Sequence, residues 1–121
     1  MKQILIIEDD PYVRSFYERL FRNDEHDVIL AGSGLEGLQL AEKLQPALIL
    51  LDMVMPQMNG MEVLEKLKTN NATKSLRVVM LTNIDDMSVI QEAQRKGVDG
   101  FIVKAYYEPD KLREHVESLI K

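Results

Sequence analysis

Five short apolar runs alternate with five amphipathic stretches along this chain, the rhythm of a parallel sheet whose helices serve as crossovers. The strand candidates are Gln3–Glu8, Asp27–Ala31, Ala47–Asp52, Arg77–Thr82 and Gly100–Lys104. Runs such as "ILII" and "LILL" show no polar alternation, so these strands must be covered on both faces. The first helix opens with Asp10 as cap and Pro11 at its first position, and sets Val13, Phe16, Tyr17, Leu20 and Phe21 on one side. The second carries Leu35, Leu38, Ala41 and Leu44 and stops at Pro46. A third follows the Asn59-Gly60 turn with Met61, Leu64 and Leu67 inward. A fourth runs from Asp86 to Lys96 and ends at Gly97, and the last starts near Pro109 and buries Leu112, Val116, Leu119 and Ile120. With 121 residues and no linker or repeat, residues 1–121 read as one doubly wound α/β domain. Its expected form is (βα)5, five parallel strands in the flavodoxin-like order 2-1-3-4-5.

Composition removes several functions. A net charge of −5 disfavours direct nucleic-acid binding, which needs clustered Lys and Arg. The absence of cysteine excludes disulfides, thiolate catalysis and Cys-ligated metals. No apolar run approaches ~18 residues, and no basic, then apolar, leader opens the chain. A soluble, cytoplasmic protein without membrane contact is expected.

In an open parallel sheet the working site lies beyond the carboxyl ends of the strands. The first strand delivers Glu8 and Asp9 there, the third Asp52, the fourth Thr82 and the fifth Lys104. A lone Asp at a strand end is commonly a turn former, a lone Thr a strand former and a lone Lys a solvated charge. Their joint occurrence decides otherwise. Adjoining carboxylates at a core's mouth raise one another's pKa, and a hard divalent cation relieves them. Mg²⁺, with Mn²⁺ as the alternative, suits such oxygen donors. A carboxylate anchored by a buried strand, as Asp52 is by "ALILL", can attack phosphorus to give an acyl phosphate. Thr82 and Lys104 offer a hydroxyl and a point charge to the phosphoryl oxygens.

Over essentially its whole length the sequence resembles response-regulator receiver domains, the phosphoacceptors of two-component signalling. "IIEDDP" is similar to the family's acidic-pair segment, "LDMVMPQMNG" to the segment at the phosphorylated aspartate, "MLTN" to the switch hydroxyl and "GFIVKA" to the lysine. The resemblance implies Asp52 as phosphoacceptor, Thr82 and Lys104 as its partners, and Phe101 as the aromatic that rotates with the switch. It implies Mg²⁺ held by Asp9, Asp52 and the backbone carbonyl of Val54, with Glu8 acting mainly through water. The donor would be a sensor histidine kinase, a histidine phosphotransfer protein or a small phosphodonor. Output would pass through the surface of the fourth helix, fifth strand and fifth helix, to a downstream protein or a second copy. Such a domain assists its own phosphorylation and dephosphorylation without being an enzyme in the usual sense. No DNA-binding segment follows the fifth helix before Lys121, so the receiver works alone or was cut from a longer regulator.

Two departures stand out. The family commonly places a proline, in a cis peptide, after the lysine; here Ala105 follows, and Pro109 comes one residue late. A non-proline cis bond costs about 2.5–4 kcal/mol, so this loop should be trans or differently folded. Phe101 also lacks a tyrosine hydroxyl. In addition, Val54 and Ile84 flank the expected phosphoryl position and cannot orient water, which predicts slow hydrolysis of the phosphorylated form.

Two other readings compete. Gly32, Gly34 and Gly37 spell G-x-G-x-x-G, with Asp52 about twenty residues on, the form of a dinucleotide fingerprint. Ser33 and Glu36, however, make an S-x-x-E capping box, and the rim has no spare cation for a pyrophosphate. An aspartyl phosphatase of the haloacid dehalogenase type would need a second Asp where Val54 stands. His26 and His115 read as surface residues, and Tyr106 and Tyr107 as loop packing.

Overall fold

The computed structural model describes residues 1–120. Five strands, β1 (Lys2–Ile7), β2 (His26–Ala31), β3 (Leu48–Leu51), β4 (Val78–Thr82) and β5 (Gly100–Val103), alternate with five helices. The helices are α1 (Pro11–Phe21), α2 (Gly34–Leu44), α3 (Gly60–Thr69), α4 (Met87–Arg95) and α5 (Pro109–Leu119). All strands are parallel, as the alternation of strands and helical crossovers dictates, and they lie in the order β2-β1-β3-β4-β5.

Strand periodicity divides the core in two. Leu5, Ile7, Ile49, Leu51, Val78 and Met80 face one way and pack with Ala41 of α2, Val63, Leu64 and Leu67 of α3 and Ala93 of α4. Ile4, Ile6, Leu48, Leu50, Val79 and Leu81 face the other and pack with Tyr17 and Phe21 of α1 and Leu112 and Val116 of α5. Because each central strand feeds both layers, its sequence shows no polar alternation.

Local signals place the helix ends. Asp10 caps α1 by accepting from the amides of Tyr12 and Val13, at 2.8 and 3.2 Å. Gly97 takes φ +93° after α4, a left-handed conformation that glycine adopts at little cost. Asn59 and Glu62 form a reciprocal capping box at α3. At α2, Ser33 accepts from the Glu36 amide at 3.2 Å, but Glu36 accepts from Gly32 rather than Ser33, so the expected box is closed one residue early.

Several expectations need correction. β1, β3 and β5 stop one residue short of Glu8, Asp52 and Lys104, because the strand ladders end at the pairs Ile7–Leu51 and Thr82–Val103. Phe16 is 40% exposed and Leu35 60% exposed, each lying at the flank of its helix's apolar face. His26 is buried, not a surface residue: β2 begins there, in register with Lys2, and the ring lies 3.9 Å from a Glu117 oxygen of α5. His115 is half-buried and stacks on Tyr107, ring centroids 5.4 Å apart.

Candidate functional site

The β1–β3 ladder ends at the pair Ile7–Leu51, so the next residues, Glu8 and Asp52, emerge side by side. Each is held by one more strand-type bond: the Asp52 amide donates to the Ile7 carbonyl and the Glu8 amide to that of Ala31, both at 3.0 Å. Carboxylate oxygens of Glu8, Asp9 and Asp52 lie within 4.8 Å of one another. β4 and β5 close in register at Thr82–Val103, which brings Lys104 to the same rim. The Lys104 ammonium stands 3.6 Å from Glu8 Oε1. Thr82 is buried, and its hydroxyl accepts from the Ile84 amide at 3.4 Å.

Strand alternation sorts these groups. Lys104 follows Ile102 onto the α1–α5 face, whereas Phe101 packs, half-buried, with Ile84 and Val89 on the other. Val54 is 64% exposed and donates its amide to Asp52 Oδ1 at 3.4 Å. Together with Met53, Met55, Met61, Ile84 and Val89 it lines a mostly apolar groove of about 400 Å³ next to Asp52 in the chain, to which Asn59 and Glu92 add polar groups.

Charge is concentrated uncomfortably here. Burial, with Asp52 nearby, pushes Glu8 up to about 7, although the Asp10 amide and Lys104 pull the other way. Burial also raises Asp52, with Lys104 opposing. Lys104 is lowered by burial, yet Tyr17, Asp52 and Glu8 outweigh that and its net shift is upward. One ammonium does not neutralise three carboxylates, and hard oxygen donors at this spacing fit a small divalent cation.

The loop after Lys104 settles the proline question. Among the described residues no peptide is cis, and Lys104–Tyr106 forms a single 3₁₀ turn closed by the Tyr107 amide on the Lys104 carbonyl, 3.2 Å. Tyr106 donates its hydroxyl to Asp85 at 2.9 Å, tying this turn to the loop after β4.

Two residues of the site were not anticipated. Arg14 reaches back from α1 and donates to the carbonyls of Glu8 and Asp9, at 2.9 and 3.0 Å, bracing the acidic loop. Tyr17 was placed only in the core, yet its ring lies under the Lys104 ammonium, 5.2 Å from centroid to nitrogen. The glycine fingerprint also acquires a packing explanation. A Cβ at Gly32 would stand 2.9 Å from the Arg14 guanidinium, one at Gly34 2.7 Å from Val63, and one at Gly37 2.4 Å from Ile7. These glycines admit close neighbours rather than a pyrophosphate.

A doubly wound parallel sheet that gathers three carboxylates, a hydroxyl and an ammonium on its carboxyl edge is the architecture of a receiver. Residues 4–117 match the response regulator receiver domain, and the chain belongs to that family. Sporulation initiation phosphotransferase F of Bacillus subtilis strain 168 is 29% identical over 119 residues, covering 98% of this chain and 94% of that protein. The Regulator of RpoS of Escherichia coli K12 is 33% identical over 115 residues, 95% of this chain but 34% of that protein, so the chain spans about a third of that relative. Chemotaxis protein CheY4 of Vibrio cholerae superposes with a TM-score of 0.88 at 25% identity, covering 98% of each chain. Among the described residues, no helix is long and apolar enough to cross a membrane.

Proposed function

We propose that Asp52 is the phosphoacceptor and that residues 1–121 form a single receiver, a cytoplasmic switch set by phosphorylation. The observation that carries this reading is the cluster of Glu8, Asp9 and Asp52 carboxylates, with Lys104 paired to Glu8. Asp9, Asp52 and the Val54 carbonyl would hold Mg²⁺ or Mn²⁺, with Glu8 acting through water; the ion supplies charge neutralisation for the phosphoryl oxygens. An Asp52 oxygen attacks the phosphorus of a phosphohistidine or acyl phosphate, and the bond to the donor's nitrogen or oxygen breaks as the donor leaves. The product is an aspartyl phosphate. The chain assists this step by position and electrostatics, with Lys104 paired to one phosphoryl oxygen and the Thr82 hydroxyl donating to another.

Withdrawal of Thr82 from its loop, with Phe101 beside it on the same face, would then shift the population of the α4–β5–α5 surface. A downstream protein or a second copy would read that surface. The donor would be a sensor histidine kinase or a histidine phosphotransfer protein.

Incubation with acetyl phosphate and Mg²⁺ is expected to add the mass of one phosphoryl group to the intact protein, and excess chelator to prevent it. No adduct from acetyl phosphate or from any phosphohistidine donor would sink the reading. The groove beside Asp52 adds a second expectation. Its wall at Val54 and Ile84 offers no polar atom from either side chain to an attacking water. Replacing Val54→Asn together with Ile84→Glu should shorten the adduct's lifetime at least about tenfold. An unchanged lifetime would show that those side chains do not limit hydrolysis.

A further inference from the structure

We infer that Tyr17 is a positioning residue for the phosphoryl step, its ring face holding the Lys104 ammonium at the rim. The inference rests on the phosphoacceptor reading above and goes beyond it by naming what orients the lysine. Tyr17 is 4% exposed, and its ring packs with those of Phe16, tilted, and Phe21, stacked, with centroids 5.6 and 5.7 Å away. The plane on which Lys104 rests is therefore fixed by packing within α1. Ile6, Leu50 and Leu81 join Tyr17, Glu8 and Asp52 around the small gap beneath the carboxylates. The ammonium lies 5.2 Å from the ring centroid, within the range where a cation is attracted to an aromatic face.

Three features make this contact matter here. The lysine is followed by Ala105 in a 3₁₀ turn, so no proline ring stiffens the backbone that carries it. Its stem is long and flexible, and side-chain contacts must choose its rotamer. The other contact, Glu8 Oε1 at 3.6 Å, is longer than a hydrogen bond and belongs to a carboxylate shared with the cluster. A cation bound there competes for Glu8 but not for the ring. The Tyr17 hydroxyl also bears on the ammonium, so the two parts of the side chain make different demands: if the ring face is the working group, removing the hydroxyl is tolerated and removing the face is not.

The test compares wild type, Tyr17→Phe and Tyr17→Leu, each first checked for cooperative unfolding. Two quantities are read: the initial rate of phosphoryl uptake from acetyl phosphate with Mg²⁺, and the proton chemical shift of the Lys104 ε-methylene. Ring current from a face-on aromatic moves that resonance upfield, which reports whether the lysine rests on the ring in solution, while rescue of the rate by phenylalanine separates the ring's action from the hydroxyl's. Tyr17→Phe should keep the upfield shift and a rate within about twofold, while Tyr17→Leu loses the shift and slows about tenfold. If Tyr17→Leu does not fold, Tyr17→Met serves as the flexible, ring-free substitute with the same expectation. A folded ring-free variant that is phosphorylated as fast as wild type overturns the inference alone. Equal losses in the Phe and Leu variants overturn it too, because the hydroxyl would then be the working group. A wild type that takes up no phosphoryl group overturns the phosphoacceptor reading, and this inference with it.

Discussion

Asp52→Asn is expected to do two things of opposite sign: abolish phosphoryl uptake and stabilise the protein in the absence of divalent cations. The first follows from the proposed role of Asp52, since an amide in its place cannot form the acyl phosphate. The second follows from the crowding of charge at the rim. Glu8 is 3% exposed, and burial, followed by the charge of Asp52, pushes its carboxyl from 4.5 up to about 7. Because its folded-state pKa lies above that of the unfolded chain, the native state binds the extra proton. The resulting stability is complete below about pH 4.5 and is lost as pH rises through 7. Asp52, also raised by burial, adds to the same trend. In chelator, the wild type should therefore lose on the order of 1–3 kcal/mol between pH 5 and pH 8. Mg²⁺ should restore it at pH 8, since a ligand that binds only the native state stabilises it. Asp52→Asn removes one of the interacting charges, so its fall with pH should be shallower and its response to Mg²⁺ much weaker. Thermal unfolding at several pH values, with chelator or Mg²⁺, reads all of these together. A wild-type midpoint that is flat or rises from pH 5 to 8 in chelator would contradict the electrostatic account.

The architecture was legible because it follows from period and position. Uninterrupted runs as short as Leu48–Leu51, set between amphipathic stretches of helical length, read as two-faced strands, and the alternation makes them parallel. The rim was legible for the same reason: Glu8 and Asp52 meet because Ile7 and Leu51 are paired, a consequence of topology and not of distance along the chain. What escaped were contacts made by side chains whose local pattern already had an explanation. Tyr17 satisfies the apolar face of α1, and nothing in that face asks for an aromatic ring. The available signal was parity, since Lys104 shares its side of β5 with Ile102, on the layer where Tyr17 packs. Arg14 could not be placed because a long side chain on α1 has many destinations, and only the turn geometry aims it back at Glu8 and Asp9. His26 falls just outside a strand read as starting at Asp27; β2 in fact begins one residue earlier, and His26 then shares the buried face of Val28.

The Lys104–Ala105 junction shows how a missing sequence feature is absorbed. Without proline the chain turns by a short 3₁₀ segment, and the restraint moves to side chains. Tyr106 ties the turn to Asp85 in the loop that follows Thr82, while Tyr17 and Glu8 flank the lysine itself. The loops that follow Thr82 and Lys104 are thus joined by one exposed hydrogen bond.

Gly60→Ala is expected to destabilise the protein by about 2–3 kcal/mol, against the sign that helix propensity predicts. In an unconstrained helix the exchange of glycine for alanine stabilises by roughly 0.5–1 kcal/mol, through backbone entropy. Here a Cβ would stand 2.3 Å from the carbonyl oxygen of Asp52, 2.7 Å from Met53 Cα and 3.0 Å from the Asp52 carbonyl carbon. All three are backbone atoms, so no side chain can rotate away. The same residue donates its amide to the Met53 carbonyl at 2.9 Å, which clamps the start of α3 onto the loop leaving Asp52. The Asn59–Glu62 capping box holds that helix start in its own geometry, leaving the Asp52–Val54 segment to give way. The penalty should therefore appear twice. A 2–3 kcal/mol loss corresponds to a fall of roughly 10 °C in the thermal midpoint for a domain of this size, and phosphoryl uptake by the folded fraction should drop with it. A Gly60→Ala variant as stable as wild type would mean that α3 can withdraw from Asp52 freely, and that the acceptor's position is not fixed by this contact. Loss of stability with full uptake would separate the two roles, assigning Gly60 to packing alone.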